Sequence, residues 1–226
     1  MTINKFILTV CLLFLFQFLE AQATKSDPVD MQGWFGANIE ADFPKKWNVD
    51  LSYQARMNNN ITNYNGSYYS IGVKKRLFRP ISLLVEYRLS KVLKGTYNRY
   101  SFGFDIDYNL QKIKTDVRLL YQNQIQDFDD PIKEIDKDNF FRIRARVRFP
   151  VINRTSLVLS TEPIYGLSSG FSIDNYRHQL ALRYDIDKNV QLELFYINRP
   201  DYAKSYKRQY HIFGTTLSYS FKVKRK

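Results

Sequence analysis

The sequence predicts an all-β fold, a transmembrane antiparallel up-and-down β-barrel of about 10–12 strands. Three observations predict it. Apolar and polar residues alternate with a period of two along most of the chain. The links between these segments are short and long in turn. Aromatic residues make up 16% of the 226 positions, with 17 Tyr, 17 Phe and 2 Trp, and many fall near segment ends, where barrels carry their interfacial girdles. Low mean hydropathy excludes helical spans but not strands, because a barrel strand shows lipid only every second side chain.

The N-terminus reads as an export signal. Lys5 precedes an apolar stretch from Phe6 to Leu19, and Ala21-Gln22-Ala23 offers a small-x-small cleavage site. The stretch is too short and wrongly flanked for a spanning helix. Residues 1–23 are therefore expected to be a cleaved signal peptide, 24–30 an N-terminal extension and 31–226 the barrel, located in the cell outer membrane. Cleavage removes Lys5, Glu20 and Cys11, the single cysteine, so the net charge of +12 is unchanged. An exported chain without cysteine has no disulfide to stabilise it.

The strands follow in order. Phe35, Ala37 and Ile39 share a face within 32–41, and Trp47, Val49, Leu51, Tyr53 and Ala55 share the next. Tyr69, Ile71 and Val73 form a shorter case, followed by Ile81, Leu83, Val85 and Tyr87. Tyr100, Phe102, Phe104, Ile106 and Tyr108 alternate with Ser101, Gly103, Asp105 and Asp107, and Ile113 to Tyr121 behaves likewise. In Phe141 to Phe149, four arginines alternate with Phe, Ile, Ala, Val and Phe. A helix would scatter those arginines around its axis, whereas a strand separates one cationic from one apolar face. Thr155 to Glu162 is ambiguous because Val158 interrupts its polar face. Tyr176 to Tyr184, Val190 to Tyr196 and Phe213 to Phe221 complete the set.

These segments number about eleven, each of roughly ten residues, the length of a tilted membrane-spanning strand. Short links fall at 44–46, 78–80, 109–111, 150–153 and 187–189; longer polar loops fall at 58–65, 126–138, 166–174 and 200–208. A soluble β-sandwich also alternates, but it does not require this strand length or this loop pattern. Bacterial single-chain barrels carry even strand numbers, so a count of eleven leaves ten or twelve as alternatives. Either 32–41 does not span, or a strand lies hidden in a loop.

The last segment carries a second cue. Gly214 is followed by apolar residues at alternate positions, among them Leu217 and Tyr219, ending on the aromatic Phe221. This looks like the insertion signal on the final strand of outer-membrane barrels, which implies the barrel-insertion machinery and outer-membrane lipid as partners. Ile212 stands at a position usually polar. The chain further resembles the bacterial family catalogued as domain of unknown function 2490. The resemblance rests on Gly33-Trp34-Phe35-Gly36-Ala37 leading to Lys46-Trp47-Asn48-Val49-Asp50-Leu51, on Tyr176-Arg177-His178-Gln179-Leu180, on Asp187-Lys188-Asn189 and on Tyr210-His211-Ile212-Phe213-Gly214. It implies an outer-membrane barrel without an assigned activity, so no catalytic residue is carried over.

If the apolar faces meet lipid, the polar faces line a lumen. Arg142, Arg144, Arg146 and Arg148 then form a column on one interior wall. Such charges need partners or water. Glu86, Asp105, Asp107, Asp116, Glu162, Asp185 and Glu193 are the acidic candidates, while Arg56, Lys74, Arg76, Arg88, Arg118, Arg177 and Arg183 add positive charge. Two arrangements follow. Acidic and basic walls pair across a narrow lumen and close it, giving a structural barrel; or an arginine-rich constriction admits small anionic solutes.

Other chemistry is thin. With two histidines, His178 and His211, and no thiol after cleavage, neither a metal site nor a cofactor is expected. Both histidines share the parity of the apolar faces. An interfacial lipid-modifying enzyme using one of them as base is the alternative to a non-enzymatic barrel. The acidic loop containing Asp127, Asp129, Asp130, Glu134, Asp136 and Asp138 lacks the spacing and glycine of an EF-hand. The basic excess sits on alternating strands, which argues against nucleic acid.

Overall fold

The structure is a computed structural model that describes residues 29–93, 95–128, 136–168, 170–202 and 208–223. The expected signal peptide, most of the extension, and Asp129, Asp130 and Glu134 of the acidic loop lie outside these residues. Eleven strands form one closed barrel: β1 Val29–Phe43, β2 Trp47–Asn58, β3 Asn63–Arg76, β4 Ile81–Val92, β5 Gly95–Leu110, β6 Ile113–Phe128, β7 Asp136–Ile152, β8 Thr155–Gly166, β9 Ser172–Asp185, β10 Val190–Asp201 and β11 Arg208–Lys222. A single 3-10 turn, Pro44–Lys46, joins β1 to β2.

Sequential neighbours pair antiparallel, and β1 closes onto β11 in parallel, from Val29 opposite Gln209 to Asp42 opposite Lys222. This removes the parity difficulty. Each hairpin reverses the chain, so the first and eleventh strands run in the same direction and meet only as a parallel pair. Neither alternative is needed: 32–41 lies within a full strand, and eleven strands close the ring.

The strands run to 12–17 residues, longer than the alternation suggests. The excess lies largely toward the long-loop rim, where β6 extends to Phe128 and β7 begins at Asp136. Backbone ladders continue past the apolar band because their hydrogen bonds do not require apolar side chains. The first link at that rim is accordingly shorter than the sequence suggests; 59–62 alone joins β2 to β3, against the expected 58–65.

The outward faces are apolar. Phe35, Ile39, Leu51, Ile71, Val85, Phe102, Leu182, Leu194 and Leu217 are all exposed. In water so continuous an apolar wall would drive association; in a bilayer it matches its solvent, while closure leaves no unpaired sheet edge. Rings pack across paired strands on this face. Tyr53 and Tyr69 lie 5.3 Å apart between centroids, Tyr87 and Tyr100 5.2 Å, and Phe102 and Tyr121 5.5 Å. Such cross-strand pairs stabilise register.

One sector of the interior is apolar too. Trp34, Val158, Ala181, Phe195, Ile197, Tyr210 and Ile212 form a buried cluster between β8, β9, β10, β11 and β1. Val158, which breaks the polar face of its segment, and Ile212, which replaces a polar residue, both belong to it. β8 is therefore a regular strand with two apolar side chains, Val158 and Ile164, turned inward.

Candidate functional site

Beyond this cluster the inner wall is charged. The structure places the four arginines of β7 along it with different partners. Arg142 donates to Glu162 Oε1 through Nη2 at 2.8 Å and through Nε at 3.2 Å, and to Gln122 Oε1 through Nη1 at 2.8 Å. Arg144 and Arg146 share Asp116, at 3.1 and 2.6 Å. Arg148 lies 3.8 Å from Asp185.

The remaining acidic residues have other partners. Asp105, 1% exposed, takes both Arg118, at 2.6 and 2.9 Å, and Lys74 at 2.9 Å. Glu193 takes Arg183 at 2.5 Å, Asp107 lies 3.6 Å from Arg76, and Glu86 lies 3.4 Å from Arg88 on its own strand. Glu162 is also 3.7 Å from Arg177. Every one of these pairs joins residues on the same strand or at most two strands apart. The charges run along the wall among the described residues, not across the lumen.

Pairing along the wall leaves space on the axis. A cavity of about 510 Å³ lies toward the long-loop rim, and one of about 780 Å³ toward the short-turn rim. Arg56, Arg99, Arg177 and Arg199 line the first, with Asp174 and Asp201. The second is lined by seven cations, Lys46, Lys74, Arg76, Arg118, Arg144, Arg146 and Arg183, against four carboxylates, Glu40, Asp42, Asp50 and Glu86. Cations outnumber carboxylates in both. Arg99 and Arg199 are absent from the inward set inferred from sequence. Their signal is parity carried beyond the apolar segment: Arg99 continues the face of Ser101 and Asp105, and Arg199 that of Glu193.

The histidines lie in the wall. His178 and His211 both pair in register with Asn198, between them on β10. His178 has the outward parity expected, yet it is only 4% exposed. Its ring stacks on Tyr176, and Nδ1 is 3.1 Å from Thr161 Oγ1. The Tyr196 hydroxyl is 2.6 Å from His211 Nδ1. On β11, Leu217, Tyr219 and Phe221 face outward, whereas Gly214 faces the inner cluster and pairs with Trp34.

Fold and lumen together define a porin-like membrane-spanning β-barrel. The chain belongs to the family described as protein of unknown function (DUF2490), whose model matches residues 31–210. No curated protein matches the sequence. Among solved structures, the NanC porin is similar, with a TM-score of 0.51 and 12% identity, over 75% of this chain and 86% of that one. OccK8 (OprE) of Pseudomonas aeruginosa gives a TM-score of 0.38 at 8% identity, over 74% and 57% of the two chains. At such identity the NanC likeness is one of fold.

Proposed function

We propose that this protein is a narrow outer-membrane channel that prefers small anions, exported through a cleaved signal peptide. The observation that carries the reading is the charge of these rim cavities, four arginines against two aspartates in one and seven cations against four carboxylates in the other. Rings of Arg and Lys favour anions in pores, and a concave site of one sign raises the local concentration of the opposite ion. Wall-wise ion pairing supports an open axis over a lumen sealed by its own salt bridges. Gly214, Leu217, Tyr219 and Phe221 would serve insertion, since the strand they occupy completes the barrel against β1. The lipid-modifying alternative would need His178 or His211 at the surface. The burial of His178 and the use of both Nδ1 atoms within the wall favour structural roles for them.

The test is reconstitution of the mature chain in planar bilayers under a potassium chloride gradient. Discrete conductance steps with a reversal potential on the chloride side support the channel; a bilayer indistinguishable from the protein-free control removes it. Unchanged current in Arg144→Ala would detach the conduction path from the β7 arginines.

A further inference from the structure

We infer that the cavity at the long-loop rim is a binding site for a small multivalent oxyanion, a polycarboxylate or a phosphate, held by Arg56, Arg99, Arg177 and Arg199. This deepens the channel reading by naming the solute class, and it singles out arginines other than the β7 column.

The argument is one of charge and valence. Each arginine of the β7 column has a carboxylate within 4 Å: Asp116, Glu162 and Asp185 take its four guanidiniums. The four rim arginines come from β2, β5, β9 and β10, and they are supplied differently. Among the described residues Arg56, Arg99 and Arg199 have no ion-pair partner, and Arg177 has only Glu162 at 3.7 Å, already bonded to Arg142. Asp174 and Asp201 share the cavity wall; Asp174 acts on Arg177 and Arg199 at a distance, and among the described residues neither carboxylate forms an ion pair with the four arginines. Arg56 also has Arg88 and Arg199 as neighbouring like charges. Grouped cations in a confined space call for a counter-charge.

The geometry is that of a held donor set. The Arg56 guanidinium lies between two rings, 3.8 Å from the Trp34 centroid and 3.8 Å from that of Tyr68. Its Nε donates to Gln54 Oε1 at 2.7 Å. Faces and Nε are thus occupied, Tyr68 adds a side-chain hydrogen bond, and the rest of the Nη edge remains for an acceptor. Arg99 gives Nε and Nη2 to Gln124 Oε1, at 3.2 and 2.6 Å, which leaves Nη1. Arg199 stacks 4.0 Å over Tyr210. Among the described residues the buried Nε atoms of Arg177 and Arg199 have no hydrogen-bond partner, as is also true of Arg144 in the β7 column. Planar guanidiniums fixed by stacking are pre-organised for bidentate contact with carboxylate or phosphate, and lose little further entropy on binding. A volume of about 510 Å³ falls in the range of small-molecule sites, roughly 300–1,000 Å³.

Trp34 reports on the site because it stacks on Arg56. In a Trp47→Phe background it is the one tryptophan left. The mature barrel, folded in detergent and checked by heat-modifiable gel migration, is titrated with citrate and, separately, inorganic phosphate at constant ionic strength. Trp34 emission is followed, and calorimetry repeats the titration without the tryptophan. Saturable binding of either probe is expected, and the stronger of the two identifies the source class. Arg99→Gln and Arg199→Gln should each weaken it about tenfold, while Arg148→Gln, outside the cavity, should leave it within about twofold. No saturable response to either probe, or wild-type affinity in the Arg99 and Arg199 variants, overturns the site. Should Arg199→Gln not fold, Arg99→Gln carries the test alone. Binding is read without current: a barrel that binds citrate but conducts nothing keeps the site and loses the channel, and one that conducts chloride but binds neither probe does the reverse.

Discussion

Gly214 of β11 lies so close to Trp34 of β1 that a Cβ on Gly214 would sit 2.3 Å from the Trp34 carbonyl oxygen. The same atom would meet the Phe195 ring at 2.3 Å. The contact is at the parallel seam, where the barrel closes, and its backbone half cannot be relieved by a rotamer change.

Gly214→Ala is therefore expected to destabilise the barrel by about 1–3 kcal/mol, the usual range for overpacking. Gly166→Ala is the control, because nothing lies within 4 Å of a Cβ there. Urea midpoints of the detergent-folded proteins decide the matter. Equal midpoints for the two variants would show that the seam is looser than drawn.

Ile212→Ala should cost about 2–4 kcal/mol. Ile212 is fully buried, 0% exposed, in the interior apolar cluster, so truncation adds a cavity to the lost transfer free energy. Leu217→Ala, on the lipid face of the same strand, leaves a gap that lipid or detergent refills and should cost less. The same urea titration compares them, and a larger loss for Leu217 would contradict the inward placement of Ile212.

Val158 and Ile212 also show where sequence reading reaches its limit. Alternation reports which side chains face lipid, because every apolar outward residue meets the same solvent. The inner face has no single solvent. It carries Ile212 where the wall is packed and Arg144 where it borders a cavity, so an exception to the period reads as noise until the strands are closed. Closure is equally invisible in any one segment: Val29 meets Gln209 only because ten hairpins have turned the chain round. The β7 arginines stand out because four of them share a strand. Arg56, Arg99, Arg177 and Arg199 come from four separate strands, and only register and barrel closure bring them together.

Asp116→Asn should destabilise the barrel and strengthen anion preference together. One carboxylate accepts from both Arg144 and Arg146, and an amide keeps the shape while removing the charge. The cost should fall between the roughly 1 kcal/mol of an exposed pair and the roughly 3–5 kcal/mol of a buried one, since these arginines also border an axial cavity. Reversal potentials in planar bilayers should move further toward chloride, and the shift should shrink as salt rises and the Debye length falls from about 10 Å at 0.1 M to about 3 Å at 1 M. A shift toward potassium would contradict the placement of these arginines on the conduction path.

The parallel closure makes a prediction that no even-stranded antiparallel barrel shares. Because β1 and β11 run in the same direction, Val29 begins on the rim where β11 begins, beside the 59–62 link. There Asn60 N donates to Asp30 Oδ1 at 3.0 Å and Ile61 N to the Met31 carbonyl at 3.1 Å. In an all-antiparallel ring of ten or twelve strands, the first strand would start at the opposite rim from the start of the last. The expected mature chain has no cysteine, so single cysteines at Val29, Asn60 and Lys188, all exposed positions, can be read one at a time. On intact cells, a membrane-impermeant maleimide should label Val29→Cys and Asn60→Cys alike. Lys188→Cys, in the link between β9 and β10, should react only after the outer membrane is opened, or in the reverse order if the barrel sits inverted. Co-labelling of Val29→Cys with Lys188→Cys instead would remove the eleven-strand closure, and with it the register that brings Gly214 against Trp34.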